Sequence, residues 1–178
     1  MEKDVNASIK EARADDIPVI RRMADIVFRR TYRDILSPEQ MEYMMDWMYS
    51  ENSLLEQICG EGRTFLIALY DDEPCGYASF EIESTIPDGR PLFHLQKLYV
   101  MPQYQRSGIG QKLVRAILDR LHSAAPSGFR VELNVNRNNP AIGFYEHIGF
   151  HRDRQGDFPI GHGYYMNDYI YVLDTESI

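Results

Sequence analysis

The sequence contains little cysteine, no long apolar run and no excess of basic charge. Its two cysteines, Cys59 and Cys75, form no Cys-x-x-Cys pair and lie in no Cys/His cluster, so neither a disulfide scaffold nor a structural zinc site is expected. The longest apolar run, residues 65–70, has the length of a strand and is far too short to cross a bilayer. Residues 1–6 are polar and no apolar stretch follows them, which predicts a cytoplasmic protein without a signal peptide.

Acidic residues outnumber basic ones, 27 Asp and Glu against 19 Lys and Arg, which gives a formal net charge of −8 at pH 7. This balance argues against a protein that binds nucleic acid through overall positive charge, although it allows a local basic patch. The charge is also uneven along the chain. Residues 1–90 carry 10 basic and 19 acidic side chains, a net of −9, and residues 91–178 carry 9 and 8, a net of +1.

Length and composition predict one soluble domain over residues 1–178, with a core from about residue 8 to residue 173. Segments with helical and strand-like patterns alternate, which places the chain in the α/β class. The predicted strands cover residues 8–12, 63–70, 75–84, 91–100, 129–135, 149–154 and 164–173. The predicted helices run from a cap at residues 15–16 to about residue 30, from residue 37 onwards, and over residues 51–59, 108–122 and 140–147.

The most informative stretch is the strand, loop and helix start at residues 98–113. Gly108 and Gly110 open an amphipathic helix after the loop. The N–H groups of a helix's first turn attract anions, and glycine lets a phosphate approach the backbone closely. A dinucleotide-binding loop is not matched, because about seven residues separate Val100 from the first glycine and Leu113 occupies the third glycine position. A nucleoside triphosphate loop is not matched either, because no Gly-Lys-Ser/Thr is present.

A second stretch, residues 136–150, follows one strand later. Asn138 lies where a helix cap is expected, Pro140 falls in the first turn, and Gly149 is a natural helix stop. A purely structural interpretation, a capped helix with Tyr145 packed inside, explains much of this pattern and stays open.

Together the two stretches resemble the acetyl-coenzyme A motifs of the GNAT N-acetyltransferase superfamily. The family's Gln/Arg-x-x-Gly-x-Gly/Ala matches residues 105–110, and its Asn-x-x-Ala-x-x-x-Tyr followed by Gly-Phe matches residues 138–150. The resemblance implies a mixed, twisted sheet of about seven strands with helices on both faces, over residues 8–173. Residues 28–32 and 157–169 also resemble a bacterial branch that includes polyamine (spermidine/spermine) acetyltransferases.

The resemblance implies acetyl-CoA as co-substrate and no metal. In the family, backbone groups of the strand before the loop bind pantetheine as an added strand, and the loop N–H groups hold the pyrophosphate, where Arg106 and Lys112 would add positive charge. Asn138 would bond the pantetheine arm. The cofactor-binding residues expected in this way are Leu98, Tyr99, Val100, Gln105, Arg106, Ser107, Gly108, Ile109, Gly110, Gln111, Asn138, Ala141 and Tyr145.

The chemistry that the resemblance implies is direct attack of an amine on the thioester. The amine must lose a proton, the tetrahedral oxyanion must be stabilised, and the departing thiolate must gain a proton. The N–H of Val100 is the expected oxyanion donor. Tyr145 matches the family's proton donor to the sulfur, since a phenol with an ordinary pKa near 10 is protonated at neutral pH.

The general base is the point at which this sequence departs from a common family pattern. Many relatives have Glu at the position of Gln96, and a neutral amide cannot accept the proton. His94 lies two residues earlier on the same strand face, and an imidazole with its ordinary pKa near 6.5 suits the task. Base catalysis through ordered water, or by Glu81 or Glu83, stays open. His162 and Tyr164 follow a late loop that borders the acceptor site in the family.

The leading hypothesis is therefore an acetyl-CoA-dependent N-acetyltransferase that acts on a primary amine, such as a polyamine or another small cationic amine. The alternative is a protein that binds acyl-CoA as a sensor or regulator without turnover, which the missing Glu at position 96 keeps open. In this fold the early helices and hairpin form much of the acceptor side, so the net charge of −9 in residues 1–90 predicts a cationic acceptor, specifically a polyamine. A solvated surface that only aids solubility is the simpler explanation of that charge. The resemblance is also compatible with a homodimer.

Overall fold

The computed structural model describes residues 6–60 and 62–176. Residues 1–5, on which the prediction about a signal peptide depends, lie outside these ranges. The strands are β1 (Ala7–Glu11), β2 (Thr64–Tyr70), β3 (Glu73–Thr85), β4 (Pro91–Val100), β5 (Gly128–Asn136), β6 (His151–Gly161) and β7 (Tyr164–Glu176). The helices are α1 (Ile17–Tyr32), α2 (Pro38–Tyr49), α3 (Glu51–Leu55), α4 (Ile109–Ala124) and α5 (Ile142–His147). Within the described residues, none of these helices combines the length and the apolar character that a membrane span requires.

The strands form a seven-stranded mixed sheet in the order β1-β2-β3-β4-β5-β7-β6. β1 with β2, β2 with β3, β5 with β7, and β6 with β7 are antiparallel pairs. β4 and β5 are parallel, in a register that runs from Leu92 opposite Arg130 to His94 opposite Glu132. β4 continues to Val100, six residues beyond that register. The predicted α/β class and the mixed sheet of seven strands are confirmed.

The chain divides into two compact units. The first comprises Met1–Glu81 and Lys97–Arg120, and the second comprises Ile82–Gln96 and Leu121–Ile178. The prediction of one domain over residues 1–178 stays a prediction.

Helices lie on both faces of the strands in the first unit. The buried Tyr77 of β3 points towards α2, where its hydroxyl lies 2.7 Å from that of Tyr49. The adjacent Gly76 faces the other way, towards the Leu113 side chain of α4. Successive residues of a strand point to opposite faces, so α2 and α4 pack on opposite sides. A Cβ at Gly76 would lie 2.9 Å from the Tyr99 carbonyl oxygen, so only glycine allows β3 and β4 to approach this closely here.

The two faces of β5 and β7 in the second unit differ in character. The Tyr171 hydroxyl donates to Glu146 of α5 at 2.7 Å, and the Phe129 ring packs edge-on against His122 of α4. Residues with odd numbers in β5 and β7 therefore face helices. Residues with even numbers face the opposite side, and here Glu132, Asn134 and Asp168 are polar. We call this side the even face of β5 and β7.

The predicted helices and strands all form. Most of their ends differ from prediction by three residues or fewer, and the largest difference is at the end of β6. β6 extends to Gly161 rather than residue 154, since residues 155–161 pair with β7 up to the turn at His162 and Gly163. The helix predicted over residues 51–59 ends at Leu55 and continues as one wider turn. The predicted start of α5 is also wrong: the helix begins at Ile142 rather than residue 140.

Candidate active site

The loop between β4 and α4 exposes backbone N–H groups, and we call residues 101–110 the glycine loop. Arg106 and Gly108 both have left-handed backbone conformations, with φ of 62° and 87°. The Ser107 hydroxyl donates to the Tyr104 carbonyl and closes the turn before the helix. The N–H of Lys112 donates to the Gly108 carbonyl at 3.0 Å, so the N–H groups of residues 109–111 precede the first i−4 partner that the helix supplies.

The side chains around the glycine loop do not all point to it. Ile109 is 1% exposed, so its side chain belongs to the core and only its backbone is available to a ligand. The Lys112 ammonium donates to the Ala7 carbonyl of β1 at 2.8 Å, which corrects the expectation that this side chain adds charge to a phosphate. Arg106 is exposed, as are Gln105 and Gly108. The glycine loop therefore presents mainly backbone donors, and these suit a pyrophosphate.

The end of β4 has a fixed peptide orientation. The N–H of Met101 donates to the Cys75 carbonyl of β3 at 2.8 Å, and the Gln105 side chain donates to the Val100 carbonyl at 3.1 Å. Backbone groups of successive residues in a strand point to opposite sides, so the N–H of Val100 points away from β3. Gln105, which sequence analysis placed in the cofactor motif, therefore also holds the strand end in place. Leu98, Tyr99 and Val100 are each partly exposed.

The second motif forms a tight turn in the second unit. The Asn136 side-chain oxygen accepts from the N–H of Asn138 at 2.9 Å, and the Asn139 side-chain oxygen accepts from the N–H of Ala141 at 2.8 Å. Asn139 therefore caps the turn that leads into α5, and the expectation that Asn138 is the cap is wrong. The Asn138 side chain is exposed. It is thus available for the pantetheine arm that the family motif assigns to it.

Tyr145 lies on α5 in the same turn–helix segment. It is 8% exposed, and its ring packs edge-on against Phe144 and Phe150, with centroids 5.5 and 6.0 Å away. The N–H of Phe150 donates to the Tyr145 carbonyl at 3.0 Å, which closes the end of the helix. Packing therefore fixes the direction of the ring, and this is compatible with a proton donor as well as with a core residue.

The two predicted alternatives for a carboxylate base have different partners. The Glu83 carboxylate lies 3.0 Å from the imidazole Nδ1 of His94, within hydrogen-bond distance, and the His94 side chain is only 13% exposed. Glu81 pairs instead with Arg63 at 3.0 Å. The Glu83 carboxylate therefore contacts the predicted base. His94 lies six residues before Val100 on β4.

His94 also has a neighbour on β5. Glu83, His94 and Glu132 bring their ligand-type atoms within 4.8 Å of one another, which is the one such group of three among residues 6–60 and 62–176. Arg154 donates to the buried Glu132 carboxylate at 2.6 Å, and Asp153 holds the other guanidinium nitrogen at 2.8 Å. The charge of Glu132 is therefore already balanced by a guanidinium, which disfavours a cation there.

Sequence analysis missed one polar pair on the even face, in which Asp168 is buried and Asn134 is exposed. Asp168 is 4% exposed, and its Oδ2 accepts from the Asn134 amide at 3.2 Å. Its Oδ1 is buried and has no hydrogen-bond partner. Burial raises the pKa of the Asp168 carboxyl above its ordinary value, although the bond from Asn134 and the charge of Arg137 oppose that rise. No local signal in the sequence marks Asp168, because its burial depends on strand pairing on both sides.

Sequence comparison identifies the family of this chain. Residues 27–150 match the model of the acetyltransferase (GNAT) family. The probable N-acetyltransferase Rv2775 of Mycobacterium tuberculosis is 30% identical over 156 residues, which cover 85% of this chain and 83% of that protein. The region matched by the family model contains the glycine loop and the turn that leads to Tyr145.

Solved structures share the fold. The PaiA N-acetyltransferase of Thermoplasma acidophilum, solved in complex with coenzyme A, has a TM-score of 0.79 at 22% identity and covers 95% of this chain and 99% of its own. Naa50 of Arabidopsis thaliana, in complex with the bisubstrate analogue CoA-Ac-MVNAL, has a TM-score of 0.66 at 20% identity, with coverage of 95% and 99%. The backbone donors of the glycine loop fit the same cofactor. The chain belongs to the GNAT family and is an N-acetyltransferase that uses acetyl-CoA.

Proposed function

We propose that the protein acetylates a cationic small amine, with a polyamine as the specific candidate, in the cytoplasm. The observation that supports the cofactor part of this proposal is the glycine loop, in which the left-handed residues Arg106 and Gly108 lead into the N–H groups of residues 109–111 at the start of α4. Such N–H groups, with the dipole of a 16-residue helix behind them, bind phosphate. A homodimer is part of the proposal only through the family resemblance.

The end of β4 supports the proposed stabilisation of the oxyanion. The N–H of Val100 points away from β3, and the bonds at Met101 and Gln105 hold the next peptide, between Val100 and Met101, on both sides. A donor that is fixed before the reaction stabilises developing negative charge without having to reorient, which is why such donors are effective. We assign this role to Val100, with Leu98 and Tyr99 as the backbone partners of pantetheine.

In the proposed reaction the amine nitrogen forms a bond to the acetyl carbon, and the bond from that carbon to sulfur breaks. Tyr145 gives its hydroxyl proton to the departing thiolate, and the amine loses a proton to water that leads to His94. Glu83 orients the imidazole through the 3.0 Å contact at Nδ1, so that Nε2 is left for the water. The tyrosinate regains a proton from solvent, His94 releases its proton to solvent, and the enzyme returns to its starting state.

The charge distribution supports the choice of a cationic acceptor. Residues 1–90 carry a net charge of −9, and such a field concentrates cations and repels anions over a distance of about 8–10 Å at physiological salt. A polyamine has several positive charges, so its attraction responds more steeply to salt than that of a monoamine. The sensor without turnover is not favoured, because the family and the named relative are acetyltransferases.

The test is an amine panel with acetyl-CoA, in which a thiol reagent measures the release of CoASH. Spermidine, a monoamine, glutamate and a peptide with a free N-terminus are compared over a salt series. We expect the highest kcat/KM for spermidine, and a decrease with salt that is steeper than for the monoamine. A higher kcat/KM for the peptide or for glutamate would contradict the cationic small-amine proposal, whereas acetyl-CoA binding without CoASH release from any amine would favour the sensor.

A further inference from the structure

The even face of β5 and β7 contains a side-chain pair that the proposed reaction has not yet used. Asn134 is exposed on β5, and its amide nitrogen donates to Oδ2 of Asp168 on β7 at 3.2 Å. Asp168 is 4% exposed, and its Oδ1 has no hydrogen-bond partner. An exposed amide is therefore attached to a buried, incompletely paired carboxylate.

The carboxylate determines which end of the Asn134 amide faces outwards. An ionised carboxylate only accepts hydrogen bonds, so it must be the NH₂ group of Asn134 that faces Asp168. The oxygen of the same amide then points away from the buried side. Without Asp168 the two ends of the amide are nearly equivalent, and either can point outwards. The pair therefore presents a hydrogen-bond acceptor, and the ligand that this acceptor suits is an N–H donor.

The position of the pair relates it to the acetyl-CoA motif within the same unit. Asn134 and Asn136 lie two residues apart on one face of β5, about 7 Å along the strand. Asn136 is paired with Asp168 across the ladder, and its side chain accepts from the N–H of Asn138, the expected pantetheine residue. The outward oxygen of Asn134 therefore lies beside the turn that the family motif assigns to the acyl carrier.

A second buried carboxylate on the same face, Glu132, is paired more completely than Asp168. Glu132 receives a guanidinium, since Arg154 donates to it at 2.6 Å. Asp168 receives one neutral amide, although Arg137 lies near enough to influence it electrostatically. The side chain of Arg137 is bonded to the Gly156 carbonyl and to Asp157 instead. The negative charge of Asp168 is thus left available to polarise Asn134 and to attract a cation.

We propose that the Asn134 side-chain oxygen receives the N–H of the acceptor amine, and that Asp168 is the positioning residue that fixes the orientation of this amide. The inference rests on the proposed function and adds to it the group that recognises the acceptor. It also gives the cationic preference a local source, because the buried carboxylate stands directly behind the amide. This local source does not depend on the net charge of residues 1–90.

The experiment compares Asn134→Ala, Asp168→Asn and the double variant with the wild type, using the best amine of the panel. Asp157→Asn is the matched control, because Asp157 is an exposed carboxylate on the neighbouring strand that pairs with Arg137 and does not contact Asn134. Each single variant is expected to raise the acceptor KM about three- to tenfold, the usual effect of one lost hydrogen bond to a charged or polar ligand. The dissociation constant for acetyl-CoA, measured by calorimetry, is expected to stay within about twofold in every variant.

Two further readouts distinguish positioning from a structural role. If Asp168 acts through Asn134, the double variant has the acceptor KM of Asn134→Ala alone, and the two effects do not add. The wild-type acceptor KM is expected to rise as the pH falls through the raised pKa of Asp168, because a protonated carboxyl can donate to the Asn134 oxygen and turn it inwards. Asp168→Asn removes this step from the pH profile, while the nearby charges of Arg137 and Asp157 remain.

The outcomes that overturn the inference are specific. A wild-type acceptor KM in Asn134→Ala, a change at an exposed residue, overturns it on its own. Two other outcomes overturn it as well, because either would show that Asp168 is only structural. One is additive effects on the acceptor KM in the double variant, and the other is a loss of acetyl-CoA affinity as large as the rise in the acceptor KM. Failure of the proposed function looks different, since in that case the wild type releases no CoASH with any amine of the panel.

Discussion

The glycine loop and the even face of β5 and β7 are built from different parts of the chain. The glycine loop, in the first unit, presents backbone N–H groups, and the side chains of Ile109 and Lys112 point into the core and to β1. The even face, in the second unit, presents side chains, and their hydrogen bonds to one another decide which atoms point outwards. One region therefore depends on backbone conformation and the other on side-chain identity.

This difference indicates how cofactor and acceptor specificity can be separated in one enzyme. A backbone site tolerates many side chains but not a change of φ, so it keeps the same cofactor across varied sequences. A side-chain site changes its ligand with one or two substitutions, because a buried polar group without a partner is costly. We expect substitutions in the two regions to affect different kinetic constants.

The largest expected effect is that of Tyr145→Phe. Removal of the hydroxyl leaves the ring packing against Phe144 and Phe150 in place, so the fold should persist. If Tyr145 protonates the thiolate, kcat falls about 10²- to 10⁴-fold. Single-turnover measurement of CoASH release, under conditions where chemistry limits the rate, checks this. Full turnover in the variant would show that Tyr145 is a packing residue.

The next largest effect tests the backbone site directly. Gly108→Val forces a β-branched residue into a left-handed conformation with φ of 87°, which costs about 1–2 kcal/mol or more. The dissociation constant for acetyl-CoA is expected to rise at least about tenfold, with little change in acceptor specificity. Gly89→Val is the control, because Gly89 has φ of 92° in a turn outside the glycine loop. Equal acetyl-CoA affinities in both variants would contradict a backbone-built cofactor site.

A smaller effect is expected at His94, since in the proposed reaction the proton reaches it through water rather than directly. His94→Ala should lower kcat about three- to tenfold, and Glu83→Gln, which removes the 3.0 Å contact that orients the imidazole, should lower it less. Glu81→Gln is the matched carboxylate control, because Glu81 contacts Arg63. Unchanged kcat in His94→Ala would exclude His94 as the proton acceptor.

The smallest effect concerns stability. A Cβ at Gly143, in α5, would meet nothing within 4 Å, and the helix gains propensity when glycine is replaced by alanine. Gly143→Ala is therefore expected to raise the free energy of unfolding by about 0.5–1 kcal/mol, with the acetyl-CoA affinity unchanged. Urea denaturation measures the first and calorimetry the second. A loss of affinity would show that α5 must remain flexible for binding.

Asp168→Asn also tests, through the free energy of unfolding, whether this residue of the even face serves the acceptor site or only the fold. Because burial raises the pKa of Asp168, its ionised form is disfavoured in the folded protein, and the stability that its protonation contributes is lost as the pH rises through that pKa. At neutral pH the neutral amide is therefore expected to leave the free energy of unfolding unchanged or higher, while the acceptor KM rises. A residue that serves only the fold would show the opposite combination.

The sequence predicted the features that depend on local pattern. Gly108 predicts the left-handed turn before α4, and β4 begins and ends where expected. Ser37 caps α2, as its side chain accepts a hydrogen bond from the N–H of Gln40. These features depend on the conformational preferences of single residues or on the period of apolar residues, and both can be recognised from residues close together in the sequence.

Features that depend on distant pairing could not be predicted. The extension of β6 to Gly161 requires β7 as its partner, and residues 155–161 carry too little apolar character to indicate a strand alone. Asn139 rather than Asn138 caps the turn into α5, because Asn136 already receives the N–H of Asn138. The burial of Asp168 likewise depends on Asn136 on one side and Gly156 on the other.

Gly76 shows how far from the chemistry a substitution can act. It contacts no proposed ligand, yet a methyl group there would meet the Tyr99 carbonyl oxygen at 2.9 Å and could be accommodated only if β4 moved. Such a shift would displace the peptide that follows Tyr99, the one that contains the proposed donor N–H of Val100. In a random mutant library, Gly76→Ala should therefore be found among variants that fold and bind acetyl-CoA but turn over slowly, and inspection of the cofactor motifs alone would not explain it.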